Sequence, residues 1–414
     1  MSSFAGRYVP RGSVVLAATT FGSYALGLLR DRIFAQRFGL SESLDSYNAA
    51  FLVPDFLFNL LVASGIAAAT VPLYLEIKKR NAKQADVYIS ALLTLATIVM
   101  LVVSIVVVIF APQFSLLVAP GLSEGGQVMV VSLMRVLAFS SVLFAASNTL
   151  GAMLVAKKRF FWYGVSPILY NVGIIGGSLW LAPRFGIQGV AYGTLAGAVL
   201  HLAVRFWDAW QSGWRWREDR FPKQELVRTF KLMLPKMVGH PVELATFWIF
   251  TTLASTLGAG SISALNFARN FQSVPVSLLG IAMATAVFPS LSEAALTSAS
   301  ELKKLFHRTA LSILVVSAAA AIFLYLIRAP LVAILLGGGS FDGDAVMRVA
   351  VTLGIFCLSI PTESLSHLFA RAFYAVQDTL IPVAFSVASL VVAGISAWWF
   401  IQRMGIIGLP LGFF

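Results

Sequence analysis

The chain has 414 residues, of which 58% are hydrophobic and only 12% are charged, and its formal charge is +12. Soluble domains usually carry about 25% charged residues, so this composition argues against a soluble globular protein. A basic balance would suggest a nucleic-acid partner in a soluble protein. Here the positive charge falls between long uncharged windows, and we expect no nucleic acid to bind.

The uncharged windows predict membrane-spanning helices. Windows such as 87–123, 270–292 and 379–402 reach the roughly 20 residues that a helix needs to cross the hydrocarbon core. The predicted helices, in chain order, cover 13–29, 46–75, 87–111, 126–156, 160–182, 187–210, 232–257, 261–291, 308–335, 345–370 and 379–402. A twelfth helix begins near 405, and the chain ends within it at Phe414. The expected fold class is an all-α polytopic membrane protein.

The distribution of basic residues predicts the orientation, because cytoplasmic connections carry an excess of Lys and Arg. With the N-terminus in the cytoplasm, most of the 30 Lys and Arg residues fall on the inner side, in segments such as 78–83 and 157–159. The longest polar segment, 211–231, is also basic and contains Trp. It is either an amphipathic segment on the anionic inner leaflet or a plain loop, and both interpretations remain open.

Three pairs of similar stretches indicate an internal repeat at an offset of about 215–221 residues. They are "GIAAATVPLY" with "GIAMATAVFPSL", "FGIQGVAYG" with "MGIIGLPLG", and "LGAMLVAKKRFF" with "FARAFYAVQDTL". Six helices return the chain to the same side of the membrane, so we expect two parallel six-helix lobes around a central cavity. The predicted division is an N-lobe at 1–210, a cytoplasmic amphipathic linker at 211–231 and a C-lobe at 232–414. Such lobes suit alternating access.

Four stretches also resemble a known family. They are "LGLLRDRIFAQRFGLSESLDSYNAAFLVPDFL", "LMLPKMVG", "LNFARNFQSVPVSLLGIAMATAVFPSLSE" and "LFARAFYAVQDTLIPV". Together they are similar to the MviN/MurJ lipid II flippases of the multidrug/oligosaccharidyl-lipid/polysaccharide exporter superfamily. The resemblance implies translocation of the undecaprenyl-pyrophosphate-linked saccharide-peptide precursor of peptidoglycan from the inner to the outer leaflet of the bacterial cytoplasmic membrane. It also implies a cationic cavity between the lobes. Membrane lipids and cell-wall synthesis proteins are the other expected partners.

Two arginines are the main candidates for binding the substrate. A charge at the centre of a spanning helix costs roughly 2.5–3.5 kcal/mol on insertion scales, so it is usually kept for a cavity or a partner. Arg30 beside Asp31 matches the Arg-Asp pair of the family's first helix, and a guanidinium has forked donors suited to phosphate oxygens. The alternative is an ion pair that extends to the outer membrane surface. Arg269 is isolated between uncharged windows, with Glu243 as a candidate partner.

Other residues complete the predicted site. Asp55 and Asn59 are one helical turn apart and are expected to share a polar face. Pro235, Gly239 and Pro241 interrupt the seventh span and are the predicted hinge. The family has arginines where this chain has Tyr24 and, in the second helix, Phe58 and Asn59. The predicted cavity is therefore less cationic, and another lipid-linked oligosaccharide remains an alternative substrate.

No enzymatic site is expected, because no nucleophile–base pair or metal cluster occurs in the sequence. The single cysteine, Cys357, and four scattered histidines offer no metal-binding spacing, and no metal or cofactor is predicted. Glu363 and His367, at i and i+4, form either a structural hydrogen bond or a proton-responsive pair. The family usually has about fourteen helices, so a truncated product, or one that needs a further segment, is expected. A non-transporting cell-wall scaffold is the remaining alternative function.

Overall fold

A computed structural model describes residues 11–217, 222–239 and 241–414. Within these ranges, the side chains of eight helical residues lie outside the description: Arg11, Ser13, Pro235, Lys236, Val238, Gly239, Pro241 and Glu243. The described chain is built almost entirely of helices and short connections. Nine helical stretches in this part of the chain are long and apolar enough to cross a membrane. The prediction of a polytopic all-α membrane protein is therefore confirmed.

The helices form two compact units. Unit 1 takes in residues up to Phe34, then Ser46–Val118 and Ser123–Pro241. Its helices are α1 (Arg11–Phe38), α2 (Glu42–Phe58), α3 (Ile66–Arg80), α4 (Ala82–Ile109), α5 (Ala111–Val118), α6 (Glu124–Ala156), α7 (Phe160–Gly176), α8 (Ala182–Phe185), α9 (Ile187–Gln211) and α10 (Lys223–Gly239). In this unit, α6 packs against α3, α4 and α9, and α7 packs along α9.

Unit 2 takes in Ala35–Asp45, Ala119–Leu122 and Val242–Phe414. Its helices are α11 (Pro241–Ser255), α12 (Ser261–Pro275), α13 (Ala282–Thr297), α14 (Ala299–Leu336), α15 (Gly343–Ala375), α16 (Leu380–Met404) and α17 (Gly408–Phe413). The short segment 35–45 belongs to this unit through buried hydrogen bonds. The carboxylate of Asp45 accepts from the backbone N–H groups of Gly260 at 2.6 Å and Ser263 at 2.7 Å.

The local backbone repeats at the predicted offset. Left-handed residues occur in matched pairs, which are Gly39 (φ 61°) with Gly260 (φ 81°), Lys158 (φ 58°) with Gln377 (φ 62°), and Gly186 (φ 57°) with Gly405 (φ 61°). A π-helical turn also follows α2 at Asn59–Ala63 and α12 at Val276–Ile281. A residue with positive φ is uncommon outside glycine, so the Lys158 and Gln377 pair, together with two glycine pairs at offsets of 219–221 residues, supports the repeat. The predicted internal repeat is confirmed.

Glycines hold α7 and α9 at very close range. Gly173 on α7 and Gly177, directly after its end, face Gly197 and Gly193 on α9, and a Cβ atom on any of the four would collide with backbone atoms of the opposite segment. Small residues four apart allow helices to approach closely where lipid gives no hydrophobic drive to associate. This contact fixes α7, which supplies a partner to Arg30, against α9.

The basic turn between α6 and α7 is tied to the end of α9. Nζ of Lys157 donates to Oγ of Ser212 at 2.8 Å, and the guanidinium of Arg159 donates to Asp208 at 2.9 and 2.5 Å. The hydrogen bond from this carboxylate raises the pKa of Arg159, whereas burial lowers the pKa of Lys157. Asp208 is buried, and both of these bonds are accepted by its Oδ1 atom.

The region between the units differs in detail from the prediction. The predicted seventh helix, 232–257, corresponds to the end of α10, which stops at Gly239, and to α11, which begins at Pro241. Proline lacks a backbone N–H and is favoured in the first turn of a helix, which explains the start of α11. His240 and the side chains of the three predicted hinge residues lie outside the described residues.

The segment 211–231 packs on unit 1 over part of its length. Trp214 is fully buried, with its ring 6.0 Å from that of Phe206, and Thr229 hydrogen bonds to Tyr88 at 2.8 Å. A tryptophan in the protein core is not available to the membrane surface. The compact unit that contains this segment continues to Pro241, ten residues past the predicted linker, because α10 packs against α3.

We expect Gly193→Ala to lower the free energy of unfolding by about 1–3 kcal/mol, because the added methyl group meets the backbone of Gly177. Gly27→Ala is the matched control, since a Cβ atom at Gly27 meets nothing within 4 Å. This control is expected to be neutral or to stabilise by up to about 1 kcal/mol. Unfolding of the purified proteins in detergent, followed by circular dichroism, measures both. Equal stability of the two variants would contradict the close packing of α7 and α9.

Candidate functional site

Arg30 lies in α1 and is held inside unit 1. Its Nε and Nη2 atoms donate to Oδ1 of Asp31 at 3.0 and 2.8 Å, and Nη1 donates to Oδ1 of Asn171 on α7 at 3.3 Å. The guanidinium also lies 5.9 Å from the centre of the Phe34 ring. Neighbouring residues on a helix do not normally face each other, so the guanidinium must fold back along α1 to reach Asp31. All of these contacts are made within unit 1.

Asn171 is a site residue that the sequence did not reveal. Its amide oxygen accepts from Arg30, and its amide nitrogen donates to the carbonyl of Pro167 at 3.1 Å. Pro167 lies inside α7, and its backbone carbonyl accepts this hydrogen bond from the side chain of Asn171. This second hydrogen bond orients the carboxamide so that its oxygen meets the arginine. The sequence pattern that could have indicated Asn171 is an asparagine four residues after a proline in an apolar helix.

Arg269 forms a bidentate ion pair in unit 2. Nη1 and Nη2 donate to Oε2 and Oε1 of Glu363 on α15 at 2.9 and 2.8 Å. The two side chains are only 14% and 15% exposed. A parallel two-bond pair between a guanidinium and a carboxylate is the strongest arrangement for these groups. The predicted partner of Arg269 was Glu243, whose side chain lies outside the described residues; the carboxylate found on Arg269 is Glu363.

Further groups complete the surroundings of Arg269. The side chain of Gln272 accepts from Nη1 of Arg269, and its Nε2 donates to Oε2 of Glu363 at 2.7 Å. The guanidinium carbon lies 4.7 Å from the centre of the Phe247 ring and 5.0 Å from that of Phe413. Aromatic faces attract a cation, and this attraction grows when water is excluded. Arg269 thus has Glu363 as its counter-ion, with a carboxamide and two aromatic rings around the pair.

The predicted polar pair on α2 is present. Nδ2 of Asn59 donates to the carbonyl of Asp55 at 2.9 Å and to its Oδ1 atom at 3.1 Å. Both residues belong to unit 1, where Phe58 packs in the core and Tyr24 is 60% exposed. Arg135 donates to the backbone carbonyl of Val108 at 3.3 Å. The positions where the family has additional arginines thus hold uncharged side chains in ordinary contacts.

The described residues contain no group of three or more His, Cys, Asp or Glu side chains that could hold a metal ion. The two candidate arginines instead share one arrangement. Each guanidinium is neutralised by a carboxylate, contacted by a side-chain carboxamide and placed near an aromatic ring. The donors of both arrangements are guanidinium groups of fixed charge, which suit anionic acceptors.

These features, together with the repeated helical architecture, define a multi-pass transporter of the multidrug/oligosaccharidyl-lipid/polysaccharide exporter fold. The structure resembles an inward closed conformation of lipid II flippase MurJ, with a TM-score of 0.83 at 22% identity over 97% of this chain and 84% of the other. It also resembles an inward-facing multidrug resistance MATE transporter, with a TM-score of 0.76 at 16% identity over 97% and 93% of the two chains.

Residues 34–413 match the model of the lipid II flippase MurJ family. The chain therefore belongs to this family. It is 28% identical to a lipid II flippase MurJ of Burkholderia cenocepacia, over 97% of this chain and 80% of the relative. It is 24% identical to a probable lipid II flippase MurJ of Borreliella burgdorferi, over 91% and 74% of the two chains.

We expect Glu363→Gln to lower the free energy of unfolding by about 3 kcal/mol, because it leaves the guanidinium of Arg269 buried without its carboxylate. The double variant Arg269→Gln, Glu363→Gln removes both charges and should recover most of that loss. Denaturant unfolding in detergent of the parent, both single variants and the double variant completes the thermodynamic cycle. Purely additive effects would show that the two side chains do not interact.

Proposed function

We propose that this protein is a flippase that moves lipid II, the lipid-linked peptidoglycan precursor, from the inner to the outer leaflet of the bacterial cytoplasmic membrane. Membership of the MurJ family and similarity to lipid II flippases support this substrate. The proposed mechanism is alternating access, with the N-terminus in the cytoplasm. The protein acts on its substrate by moving it and carries out no covalent reaction.

The arrangement of Arg30 and Arg269 is the observation that carries the proposal. Each guanidinium is already paired with an internal carboxylate, Asp31 or Glu363. A diphosphate carries more negative charge than a carboxylate and offers several oxygens to the forked donors of arginine. We propose that the diphosphate of the substrate displaces these carboxylates when it binds. The carboxylates return when it leaves, so the empty transporter does not hold an unpaired buried charge.

Asp55 and Asn59 are proposed to contact the saccharide part of the headgroup. Their hydrogen bonds to each other resemble those that an amide and a carboxylate offer to sugar hydroxyl groups. Pro235, Gly239 and Pro241 are proposed to provide the hinge of the transport cycle, and Glu243 is retained as a proposed member of the site. Undecaprenyl-pyrophosphate-linked saccharide-peptide and membrane lipids are the proposed ligands, with cell-wall synthesis proteins as partners.

Complementation of a bacterial strain depleted of its lipid II flippase tests the function. We expect the full chain to restore growth, and Arg30→Ala and Arg269→Ala each to abolish rescue, because a lost charge-assisted contact to phosphate costs roughly 2–5 kcal/mol. Arg30→Lys and Arg269→Lys keep the charge but lose the fork, so partial rescue is expected. Arg184→Ala is the matched control, since Arg184 lies in α8, outside both sites.

Immunoblots of the membrane fraction establish that each variant is inserted at the level of the parent chain. Failure of the well-inserted parent chain to restore growth would contradict lipid II as the substrate and favour another lipid-linked oligosaccharide or a scaffold role. Full rescue by both alanine variants would contradict the roles of Arg30 and Arg269 while leaving the substrate assignment intact.

A further inference from the structure

A third arginine of the membrane-spanning region has a different environment. Arg205 lies in α9 and is only 4% exposed. Its Nε atom donates to Oγ of Ser166 at 2.8 Å, and Nη1 donates to the carbonyl of Ser147 at 3.2 Å and to Oδ1 of Asn148 at 2.9 Å. The guanidinium carbon lies 4.5 Å from the centre of the Tyr163 ring. All four contacts are with uncharged groups.

The absence of a counter-ion distinguishes Arg205 from the arginines of the proposed transport site. Arg30 and Arg269 each have a carboxylate, whereas Arg205 has none within ion-pair distance among the described residues. The nearest acid along α9, Asp208, is already taken by Arg159. An unneutralised charge in the membrane region costs several kcal/mol even when hydrogen bonded. Such a charge usually marks a ligand site.

A cavity of about 120 Å³ is lined in part by side chains that contact this arginine. Its lining residues are Ala63, Ile66, Ala67, Asn148, Ala152, Val155 and Tyr163. Two of them, Asn148 and Tyr163, are the side chains that also contact Arg205. One water molecule needs roughly 10–15 Å³ of such space, so the cavity has room for a larger polar group.

The polar groups of the cavity are hydrogen-bond donors. The amide oxygen of Asn148 accepts from Arg205, which identifies its nitrogen as a remaining donor. This nitrogen, the hydroxyl of Tyr163 and Nη2 of Arg205 have no hydrogen-bond acceptor in the part of the chain that the structure describes. Gly151 leaves the room for this cluster, since a Cβ atom there would lie 2.7 Å from Nη1 of Arg205. Several spare donors near a positive charge that no carboxylate balances fit an oxyanion.

We propose that this cavity of unit 1 is a phosphate-binding site, lined by Asn148 and Tyr163 and backed by the positive charge of Arg205. The remaining donors of these three side chains suit phosphate oxygens, and hydrogen bonds to a charged group are stronger than those between neutral groups. The rest of the lining is aliphatic, which suits a phosphate group attached to an apolar chain. The ligand class is therefore a phosphate ester of a membrane lipid, and free inorganic phosphate offers the same chemistry. The site uses none of the residues proposed to bind the transported headgroup.

Asn148→Asp is the decisive variant. It places a carboxylate where the amide oxygen now accepts from Arg205, so the charge is neutralised from within the protein. It also removes the donor nitrogen and repels phosphate. We expect this variant to fold and to lose phosphate binding. Tyr163→Phe keeps the ring against the guanidinium and removes one donor, so we expect roughly three- to tenfold weaker binding.

The experiment measures thermal unfolding of the full chain in an uncharged detergent. All proteins carry Arg30→Ala and Arg269→Ala, so that binding at the proposed transport site does not contribute. One series adds inorganic phosphate at constant ionic strength, with chloride as the control anion. A second adds phosphatidylglycerol, with diacylglycerol as the control lipid. A ligand that binds the folded state raises the unfolding temperature in a concentration-dependent way.

We expect phosphatidylglycerol to raise the unfolding temperature of the parent of this series, which carries only Arg30→Ala and Arg269→Ala. We expect a smaller rise when Tyr163→Phe is added and none when Asn148→Asp is added. A rise with inorganic phosphate as well would show that the free ion also binds, and a rise with phosphatidylglycerol alone would identify a lipid headgroup. The same rise in the parent and in Asn148→Asp would place the binding elsewhere and overturn the proposal. No rise with either phosphate compound would show that the Arg205 cluster is structural only.

Discussion

Neutralising positive charge inside a helical membrane protein is the constraint on which the proposed site depends. Water is not available in the hydrocarbon core, so a guanidinium there must find its acceptors within the protein or in a ligand. Arg30 and Arg269 each find a carboxylate, a carboxamide and an aromatic ring. A neutral pair of this kind is stable when no ligand is bound. The same pair also leaves a cation ready for a stronger anion, which is what transport of a diphosphate requires.

The internal repeat supplies the scaffold but not the charges. Left-handed turns recur at offsets of 219–221 residues, and a π-helical turn recurs at a similar offset, whereas the two arginines do not correspond. Residues 249–251, some 220 positions after Arg30, are Ile-Phe-Thr, and residues 48–50, some 220 positions before Arg269, are Asn-Ala-Ala. A backbone architecture can be duplicated because its turns depend on local sequence. Charged contacts depend on particular neighbours, so each unit has its own.

The structure also separates two uses of buried arginine in one protein. At Arg269 the charge is balanced internally by Glu363. At Arg205, oriented dipoles and an aromatic face hold the guanidinium without an opposite charge. The first arrangement is a complete ion pair, while the second remains electrostatically incomplete. This difference is invisible in the sequence, where both residues are single arginines in apolar surroundings.

The sequence by itself determined the class of fold, the approximate positions of the spanning helices, the internal repeat and the two arginines of interest. Those features follow from hydropathy, from local turn chemistry and from the high cost of charge in a span, all of which are written along the chain. Only the tertiary structure decided which groups meet. Glu363 lies 94 residues after Arg269, and Asn171 lies 141 residues after Arg30. Likewise, only the structure shows that Trp214 is buried, with its ring near that of Phe206. Contacts between distant residues depend on how helices pack, and a hydropathy pattern specifies that a helix is buried without specifying its neighbours.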